Sequence, residues 1–250
     1  MQSMTPPPFQ PGGPTVPIRW WSRLSTFLPL SVFKLLRMLG TAILTPLRFS
    51  YLSGHLRSTF SLRAVTRDGK PLPCYTYPCI EFLLTRKFDD CRVLEHGAGQ
   101  STLWWASHAR QIVSMESDRQ WHDFLKTRVP TNVTLHSIST ASPQDCVRDV
   151  SAILAHEEKF DVIIIDALYR AGVLEIAIPL LKENGIIICD NSSIPVIAKV
   201  ISAQGLQHVE FYGHAPGVIE PGCTSIVFRE KAFVFAADIP VPLPPLYGGA

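Results

Sequence analysis

Hydrophobic and polar positions follow two alternating patterns along residues 90–230. Short β-branched runs, which predict buried strands, are separated by stretches in which apolar residues recur with a helical period. This alternation is typical of βαβ units around a parallel sheet. The predicted strands are Arg92–Glu95, Ile112–Glu116, Asn132–Ile138, Phe160–Asp166, Gly185–Asp190, Leu206–Tyr212 and Thr224–Arg229. The predicted helices are Thr102–Ala109, Arg119–Arg128, Gln144–His156, Gly172–Lys182 and Pro195–Ala203.

The last two predicted strands follow one another without an intervening helix, which predicts an antiparallel hairpin at the sheet edge. The pattern therefore predicts an α/β fold, a doubly wound and mostly parallel seven-stranded sheet with an N-terminal helical extension.

The N-terminal segment has a different pattern. Residues 1–18 contain six prolines and are predicted to be disordered. Residues 19–67 form a basic, helical extension, in which Arg19, Arg23, Lys34, Arg37 and Arg48 share one helical sector and apolar residues fill the rest. We expect Pro29, Gly40 and Pro46 to interrupt this helix. Residues 68–235 form the main domain, and residues 236–250 are a Pro-rich tail.

Charge is distributed unevenly between these segments. Residues 1–67 hold eight basic residues and no acidic one, whereas residues 68–250 hold 15 basic and 21 acidic residues. The leader pattern fits an interfacial helix over residues 19–50, with Trp20, Trp21 and Phe27 in the headgroup region. A helical hairpin packed on the body and an organelle transit peptide are alternatives. We therefore expect a cytoplasmic protein that is peripheral at the membrane face.

Composition excludes several classes of protein. With 250 residues, of which 46% are hydrophobic, the chain is long enough for one sizeable core. Neither general disorder nor a simple polytopic membrane protein fits, and the body has no nucleic-acid-binding pattern. The six cysteines form no CxxC pair and no zinc-ligand pattern, so we expect reduced, mostly buried thiols.

A glycine loop follows the first predicted strand. Gly97 and Gly99 allow a tight turn and a close approach of a ligand to the backbone, and Ser101 is a good N-cap for the next helix. Glu116 ends the second strand, where a carboxylate accepts hydrogen bonds from a ribose diol. Thr102 stands where the dinucleotide motif has a third glycine, which disfavours a pyrophosphate. Glu95 also disfavours phosphate and favours a cationic ligand.

These residues resemble the class I S-adenosylmethionine-dependent methyltransferases, and the resemblance covers residues 90–230. It rests on the ExGxG motif at residues 95–99, the acid Glu116 and the seven-strand order with a terminal hairpin. The resemblance implies a Rossmann-like methyltransferase fold, with S-adenosylmethionine bound by Glu95, Gly97, Ala98, Gly99, Gln100, Ser101, Glu116 and Asp166. The residue that contacts adenine stays open, because the third strand has no acidic residue at its end.

The fourth and fifth strands end in Asp166 and in Asp190-Asn191. This pattern resembles cation-dependent O-methyltransferases and implies a Mg²⁺ site at Asp166, Asp190 and Asn191. Those enzymes have a lysine base three residues after the first Asp, where this chain has Tyr169 followed by Arg170. Alternatively, Asp166 contacts cofactor or substrate, and Asp190-Asn191 caps a helix or fixes a loop.

The hypothesis from sequence is methyl transfer from S-adenosylmethionine to a small-molecule or glycan-type acceptor, at oxygen, with Asp166, Tyr169 and Arg170 as the catalytic candidates. The alternatives are a nucleotide-cofactor oxidoreductase and a non-catalytic membrane-surface adaptor that kept the fold. Neither the acceptor nor the oligomeric state is readable from the sequence.

Overall fold

The computed structural model describes residues 28–236. Its helices are α1 (Leu30–Leu52), α2 (His55–Ser61), α3 (Tyr77–Leu84), α4 (Gln100–Ala106), α5 (Arg119–Lys126), α6 (Pro143–Leu154), α7 (Arg170–Ala177) and α8 (Pro195–Ala203). Its strands are β1 (Arg92–His96), β2 (Gln111–Glu116), β3 (Val133–Ser137), β4 (Phe160–Ile165), β5 (Leu181–Asp190), β6 (Gln207–Gly213) and β7 (Gly222–Phe228). The predictions on residues 1–27 and 237–250 lie outside the described part of the chain.

The seven strands form one sheet in the order β3-β2-β1-β4-β5-β7-β6. Strands β1 to β5 are parallel, and β7 pairs antiparallel with both β5 and β6. The predicted fold class is confirmed, including the terminal hairpin with β6 at the edge. The strand order reverses between β1 and β4, so the crevice beyond their carboxyl ends is the place where such folds bind ligands.

Alternate residues of each strand pack on opposite faces of the sheet. Val93, Ile112 and Ile164 lie in the cluster that contains Trp104, Trp105 and Tyr75. On the other face, their neighbours pack against α6, α7 and α8. Strand β4 and the second half of β5 are buried on both sides, which explains why their sequences are nearly continuous apolar runs.

Two helices differ from the prediction. The helix predicted over Gly172–Lys182 ends at Ala177, because Ile178–Leu180 is a 3₁₀ turn that contains Pro179 and Lys182 already lies in β5. Helix α3 was not predicted. It begins with a proline in its first turn, at Pro78, and half of its residues are buried.

Helix α1 also corrects the prediction, since it runs without a break through Gly40 and Pro46. Strong helix formers such as Leu, Met, Ala, Lys and Arg surround both positions, and the helix loses only the one hydrogen bond that proline does not donate. By length and composition alone, α1 is long and apolar enough to cross a membrane, with a mean hydropathy of 1.4.

The described residues divide into two compact units, of which the first ends at Arg48 and the second begins at Phe49. The second unit begins earlier than the boundary expected near residue 68. Ser58 is buried and its hydroxyl donates to the Val65 carbonyl at 3.0 Å, and the backbone N–H of Gly217 donates to Nδ1 of His55 at 3.3 Å. Residues 54–67 are therefore a packed part of the sheet domain.

Candidate active site

A cleft opens beyond the carboxyl ends of β1, β2 and β4, at the reversal of strand order. Its volume is about 490 Å³, which lies within the range of small-molecule sites. The residues that line it are Leu62, Arg63, Ala64, Cys74, Gly97, Ala98, Gly99, Gln100, Ser101, Glu116, Ser117, Trp121, Asp166, Ala167, Leu168 and Arg170. The structure thus brings together most of the residues that the sequence assigned to the cofactor.

The two glycines of the loop have different physical roles. Gly97 has a φ of +106°, and a Cβ atom there would collide with the backbone carbonyl of Asp166. Gly99 has an extended backbone, with φ of −172°, and a Cβ atom there would meet only Oγ of Ser101, at 3.9 Å. Gly97 is therefore required by the fold, whereas the space beside Gly99 is left open for a ligand.

Glu95 lies beneath this loop and does not line the cleft. Its carboxylate accepts hydrogen bonds from Ser101 at 2.5 Å, Thr102 at 2.5 Å and Ser114 at 2.6 Å, and no part of it is exposed. Burial raises the pKa of Glu95 to about 7, and the three hydroxyl groups partly oppose that shift. We expected Glu95 to face a cationic ligand. In the structure, Glu95 instead stabilises the glycine loop through its hydrogen bonds with Ser101 and Thr102.

Thr102 completes this support. Its hydroxyl accepts a hydrogen bond from the Gly99 backbone N–H at 2.8 Å while it donates to Glu95. Helix α4 begins at Gln100 with Gly99 at the N-cap, so the expectation that Ser101 is the N-cap is wrong. The hydroxyl of Ser101 is directed at Glu95 rather than at the free N–H groups of the helix.

Glu116 ends β2 and lines the cleft as predicted. One oxygen, Oε1, accepts hydrogen bonds from the backbone N–H groups of Ser117 and Asp118, both at 2.7 Å. Burial raises the pKa of Glu116, and these backbone donors oppose the shift. The carboxylate is thus held in one orientation at the cleft wall, where a ligand diol has access to it.

Asp166 follows β4, and its backbone lies directly beside Gly97 of the glycine loop. Its Oδ1 atom accepts a hydrogen bond from the Arg170 guanidinium at 3.1 Å, an i to i+4 pair at the start of α7. Burial and the nearby Asp190 raise the pKa of Asp166 to about 7, against the opposing effect of Arg170. Asp166 therefore gains and loses a proton close to neutral pH.

Asp190 and Asn191 do not join the cleft lining. The Thr224 hydroxyl donates to Oδ1 of Asp190 at 2.8 Å and accepts from the Thr76 backbone N–H at 3.0 Å. Asp190 thereby ties the segment before α3 to β5 and β7. Asn191 is exposed and has a left-handed backbone with φ of +51°, which fits the alternative reading of this dipeptide as a loop-fixing turn.

These contacts do not fit a magnesium site. Asp166 already faces a guanidinium, and a divalent cation placed beside it would be repelled. Between residues 28 and 236, no group of three or more His, Cys, Asp or Glu side chains is arranged to hold a metal ion. Asp190 is bound instead by Thr224 and Asn191 is exposed, so no contact among residues 28–236 supports Asp166, Asp190 and Asn191 as a ligand set.

Tyr169 points away from the cleft. It has a left-handed backbone with φ of +57°, and its hydroxyl donates to the Thr140 carbonyl at 3.3 Å. It lines a second, mainly apolar cavity of about 390 Å³ together with Leu168, Ile194 and Val196. Ala167, Leu168 and Arg170 line both cavities, so the two are adjacent.

Sequence reasoning missed the remaining walls of the cleft. Trp121, in the first turn of α5, donates its indole N–H to the Ala98 carbonyl at 2.9 Å. Leu62, Arg63 and Cys74 come from the segment before α3. The one local signal for Trp121 is that an aromatic residue stands five positions after Glu116. No sequence pattern predicts that Leu62, Arg63 and Cys74 line the cleft, because their positions depend on how residues 54–76 pack on the sheet.

The described residues fit S-adenosylmethionine, the cofactor that the fold implies. Gly99 leaves open space for a ligand, which a Cβ atom at this position would partly fill. Glu116 is fixed in the cleft wall, at the place where the resemblance puts the ribose. The cleft carries carboxylates of Glu116 and Asp166, which suit a cationic ligand better than a pyrophosphate.

Three solved methyltransferase structures are similar to this chain. No family model and no curated protein matches the chain. Among solved structures, the O-methyltransferase from Bacillus cereus in complex with SAH is 17% identical, with 76% of this chain and 96% of that chain covered and a TM-score of 0.48. The O-methyltransferase TomG from Streptomyces achromogenes, involved in tomaymycin synthesis and in complex with SAM, is 16% identical, with 73% and 89% covered and a TM-score of 0.48.

A third solved structure, the precorrin-6y C5,15-methyltransferase from Geobacter metallireducens, is 16% identical, with 60% of this chain and 86% of that chain covered and a TM-score of 0.44. At these identities the likeness concerns the fold alone, and no residue role carries over from it.

Proposed function

We propose that this protein transfers a methyl group from S-adenosylmethionine to an oxygen atom of a small-molecule or glycan-type acceptor. The observation that carries the proposal is the wall formed by the glycine loop and Glu116. The loop leaves open space beside Gly99, and Glu116 is held by two backbone N–H groups. Thr102, which fills the place of a third glycine and bonds to Glu95, speaks against a dinucleotide oxidoreductase.

S-adenosylmethionine, when bound, supplies a methyl group on a positively charged sulfur. The protein orients the acceptor oxygen in line with the methyl carbon and excludes water. An O–C bond forms, the C–S bond breaks with its electron pair passing to sulfur, and the acceptor hydroxyl loses its proton. Asp166, with a pKa of about 7 and a place in the cleft, is the base for that proton.

Arg170 has the role of a positioning residue in this scheme. Its guanidinium holds Asp166 in place and keeps part of its population ionised at neutral pH. It also lines both cavities. The cavity that adjoins the cleft, with Leu168, Ile194 and Val196 in its wall, is suited to an acceptor with an apolar body.

Calorimetric titration of the purified protein with S-adenosylmethionine and S-adenosylhomocysteine tests the proposal. We expect micromolar binding by the natural chain. Glu116→Ala removes hydrogen bonds to a charged group and is expected to weaken binding about 10- to 100-fold. Glu183→Ala, at an exposed position in β5, is the matched control and is expected to bind like the natural chain.

Two outcomes would end the proposal. One is an absence of heat at high micromolar concentration, and the other is equal affinity in Glu116→Ala and the natural chain. A parallel titration with NADH and NADPH, followed by their fluorescence, covers the oxidoreductase alternative. Native mass spectrometry of the purified protein, which detects a co-purified ligand, is the direct route to the acceptor.

A further inference from the structure

Helix α1 presents a broad apolar surface to solvent. None of its 23 residues is buried. Its exposed large apolar side chains are Leu30, Val32, Leu35, Leu36, Met38, Leu39, Ile43, Leu44, Leu47 and Tyr51, with exposures from 42% to 68%. A contiguous exposed surface of this kind marks an interaction site rather than an ordinary protein surface.

The charged side chains of α1 lie on one side. At 100° per residue, Lys34, Arg37, Thr41, Thr45 and Arg48 fall within a sector of about 80°. Leu35, Met38, Leu39, Ile43 and Leu47 fall outside that sector. The basic sector runs along most of the helix, and no acidic residue occurs anywhere in residues 1–67.

We propose that α1 lies in the plane of an anionic lipid bilayer, with its apolar side among the acyl chains and its basic sector at the headgroups. The charge pattern selects this partner, because Lys34, Arg37 and Arg48 complement acidic phospholipids. A second copy of this segment is a poorer partner, since it would cover the apolar side but offer no acidic residue to the basic sector.

The spacing of the charges favours the in-plane orientation over a spanning one. Arg37 and Arg48 lie eleven residues apart, which is about 16 Å along a helix axis, whereas the hydrocarbon core is about 30 Å thick. A spanning helix would therefore hold at least one of these guanidinium groups within the core. In the plane of the surface, all three charges reach the headgroups at the same time.

Flotation of the full-length protein with lipid vesicles tests the proposal. We expect flotation with vesicles of phosphatidylcholine and phosphatidylglycerol, and much weaker flotation with phosphatidylcholine alone. The triple variant Lys34→Gln, Arg37→Gln, Arg48→Gln is expected to lose on the order of 100-fold in affinity for the anionic vesicles. Leu36→Asp with Ile43→Asp is expected to abolish flotation.

The matched control for the apolar side is Ile219→Asp, since Ile219 is 83% exposed outside α1. This variant is expected to float like the natural chain. S-adenosylmethionine titration of each variant reports whether the sheet domain is intact, so a failure of lipid binding and a failure of the proposed enzymatic function are separate results.

Spin labels distinguish the two orientations on vesicles. Labels are placed at Thr41→Cys, in the basic sector, and at Ile43→Cys, on the opposite side, in a chain whose exposed thiol Cys74 is replaced by serine. The proposal expects a shallow label at position 41 and a deep one at position 43. Two labels at a similar depth near the midplane would overturn the in-plane orientation. Three results would overturn the choice of an anionic bilayer as the partner. The protein fails to float, it floats equally with neutral vesicles, or it dimerises without lipid and Leu36→Asp abolishes the dimer.

Discussion

The carboxylate of Asp166 and the guanidinium of Arg170 lie 3.1 Å apart at the edge of the cleft, one helical turn from each other. Asp166 is half-buried, and its loss of solvation together with the nearby Asp190 raises its pKa to about 7, while Arg170 opposes the shift. The pair therefore affects the ionisation of the cleft carboxylate that we propose as the base.

This pair predicts the pH dependence of methyl transfer. Since the ionised form of Asp166 accepts the acceptor proton, the rate is expected to fall as the pH drops below about 7. Asp166→Asn is expected to lower kcat on the order of 100-fold or more and to remove this acidic limb. The measurement is the release of S-adenosylhomocysteine against pH, with the acceptor identified by native mass spectrometry. An acidic limb that persists in Asp166→Asn would show that another group is the base.

The two glycines of the loop predict two different kinds of defect. Gly97→Ala places a methyl group against the Asp166 carbonyl at a positive φ, so we expect a loss of several kcal/mol in the free energy of unfolding or a failure to fold. Gly99→Ala meets only Oγ of Ser101, so we expect a nearly unchanged melting temperature and a tenfold or larger loss of S-adenosylmethionine affinity. Thermal melts and calorimetry measure both. A destabilised Gly99→Ala with normal affinity would contradict the assignment.

Glu95 predicts a dependence of stability on pH. Its ordinary pKa is near 4.5 and its folded value is about 7, so between these values the folded chain retains a proton that the unfolded chain has lost. Stability therefore falls as the pH rises from about 4.5 to about 7, by up to about 3 kcal/mol, and this contribution is flat above pH 7. Asp166 contributes a second decline of the same sign.

Glu95→Gln is expected to make the decline in melting temperature over this range markedly shallower. The slope is the readout, because the amide also changes the hydrogen bonds with Ser101, Thr102 and Ser114. Glu220→Gln, at an exposed position, is the control and is expected to keep the natural slope. Parallel profiles for Glu95→Gln and the natural chain would show that Glu95 is ionised throughout.

The sheet was predictable because its central strands, such as β4, are buried on both faces. Runs such as Phe160–Ile165 are apolar at every position but one, and the polar residues Glu116, Asp166 and Asp190 mark their carboxyl ends. Parallel strands gather those ends at one edge, so the glycine loop, Glu116 and Asp166 were placed correctly in one cleft.

The partners of these residues were not predictable, since they are distant in sequence. Asp190 is bound by Thr224, 34 positions away, and Thr224 is bound by Thr76, 148 positions away. Glu95 is bound by Ser114, from the neighbouring strand. A strand-end carboxylate looks the same in sequence whether it faces a ligand or another strand, which is why Glu95 and Asp190 were assigned to ligands.

We expect Trp121 to contribute to S-adenosylmethionine affinity, a role that the sequence did not reveal. Its indole N–H donates to the Ala98 carbonyl, and its ring lines the cleft and stacks on Phe124 with centroids 5.0 Å apart. Trp121→Phe keeps a ring and removes the donor, and we expect S-adenosylmethionine affinity to fall about threefold to tenfold. Trp121→Leu removes both features and is expected to bind more weakly still. Calorimetry that finds both variants equal to the natural chain would exclude a role for Trp121 in binding.

Arg170 predicts how the site responds to divalent cations. Its guanidinium supplies the positive charge beside Asp166, and Asp190 interacts with the same two residues. We therefore expect millimolar Mg²⁺ and excess chelator to leave the melting temperature and S-adenosylmethionine affinity of the natural chain unchanged. Arg170→Met removes the charge while it keeps much of the apolar stem, and two neighbouring buried carboxylates then lack a cation.

Arg170→Met is accordingly expected to melt at a lower temperature than the natural chain near pH 8, and Mg²⁺ is expected to restore part of the lost melting temperature. Arg148→Met is the matched control, because Arg148 pairs with Asp145 and Asp149 on the exposed surface of α6, and it is expected to show no response to Mg²⁺. Stabilisation of the natural chain by Mg²⁺, lost in Asp190→Asn, would instead establish the metal site that Asp166 and Asp190-Asn191 suggest in the sequence. The response of Arg170→Met thus decides whether the cation of this site is part of the chain or is taken from solution.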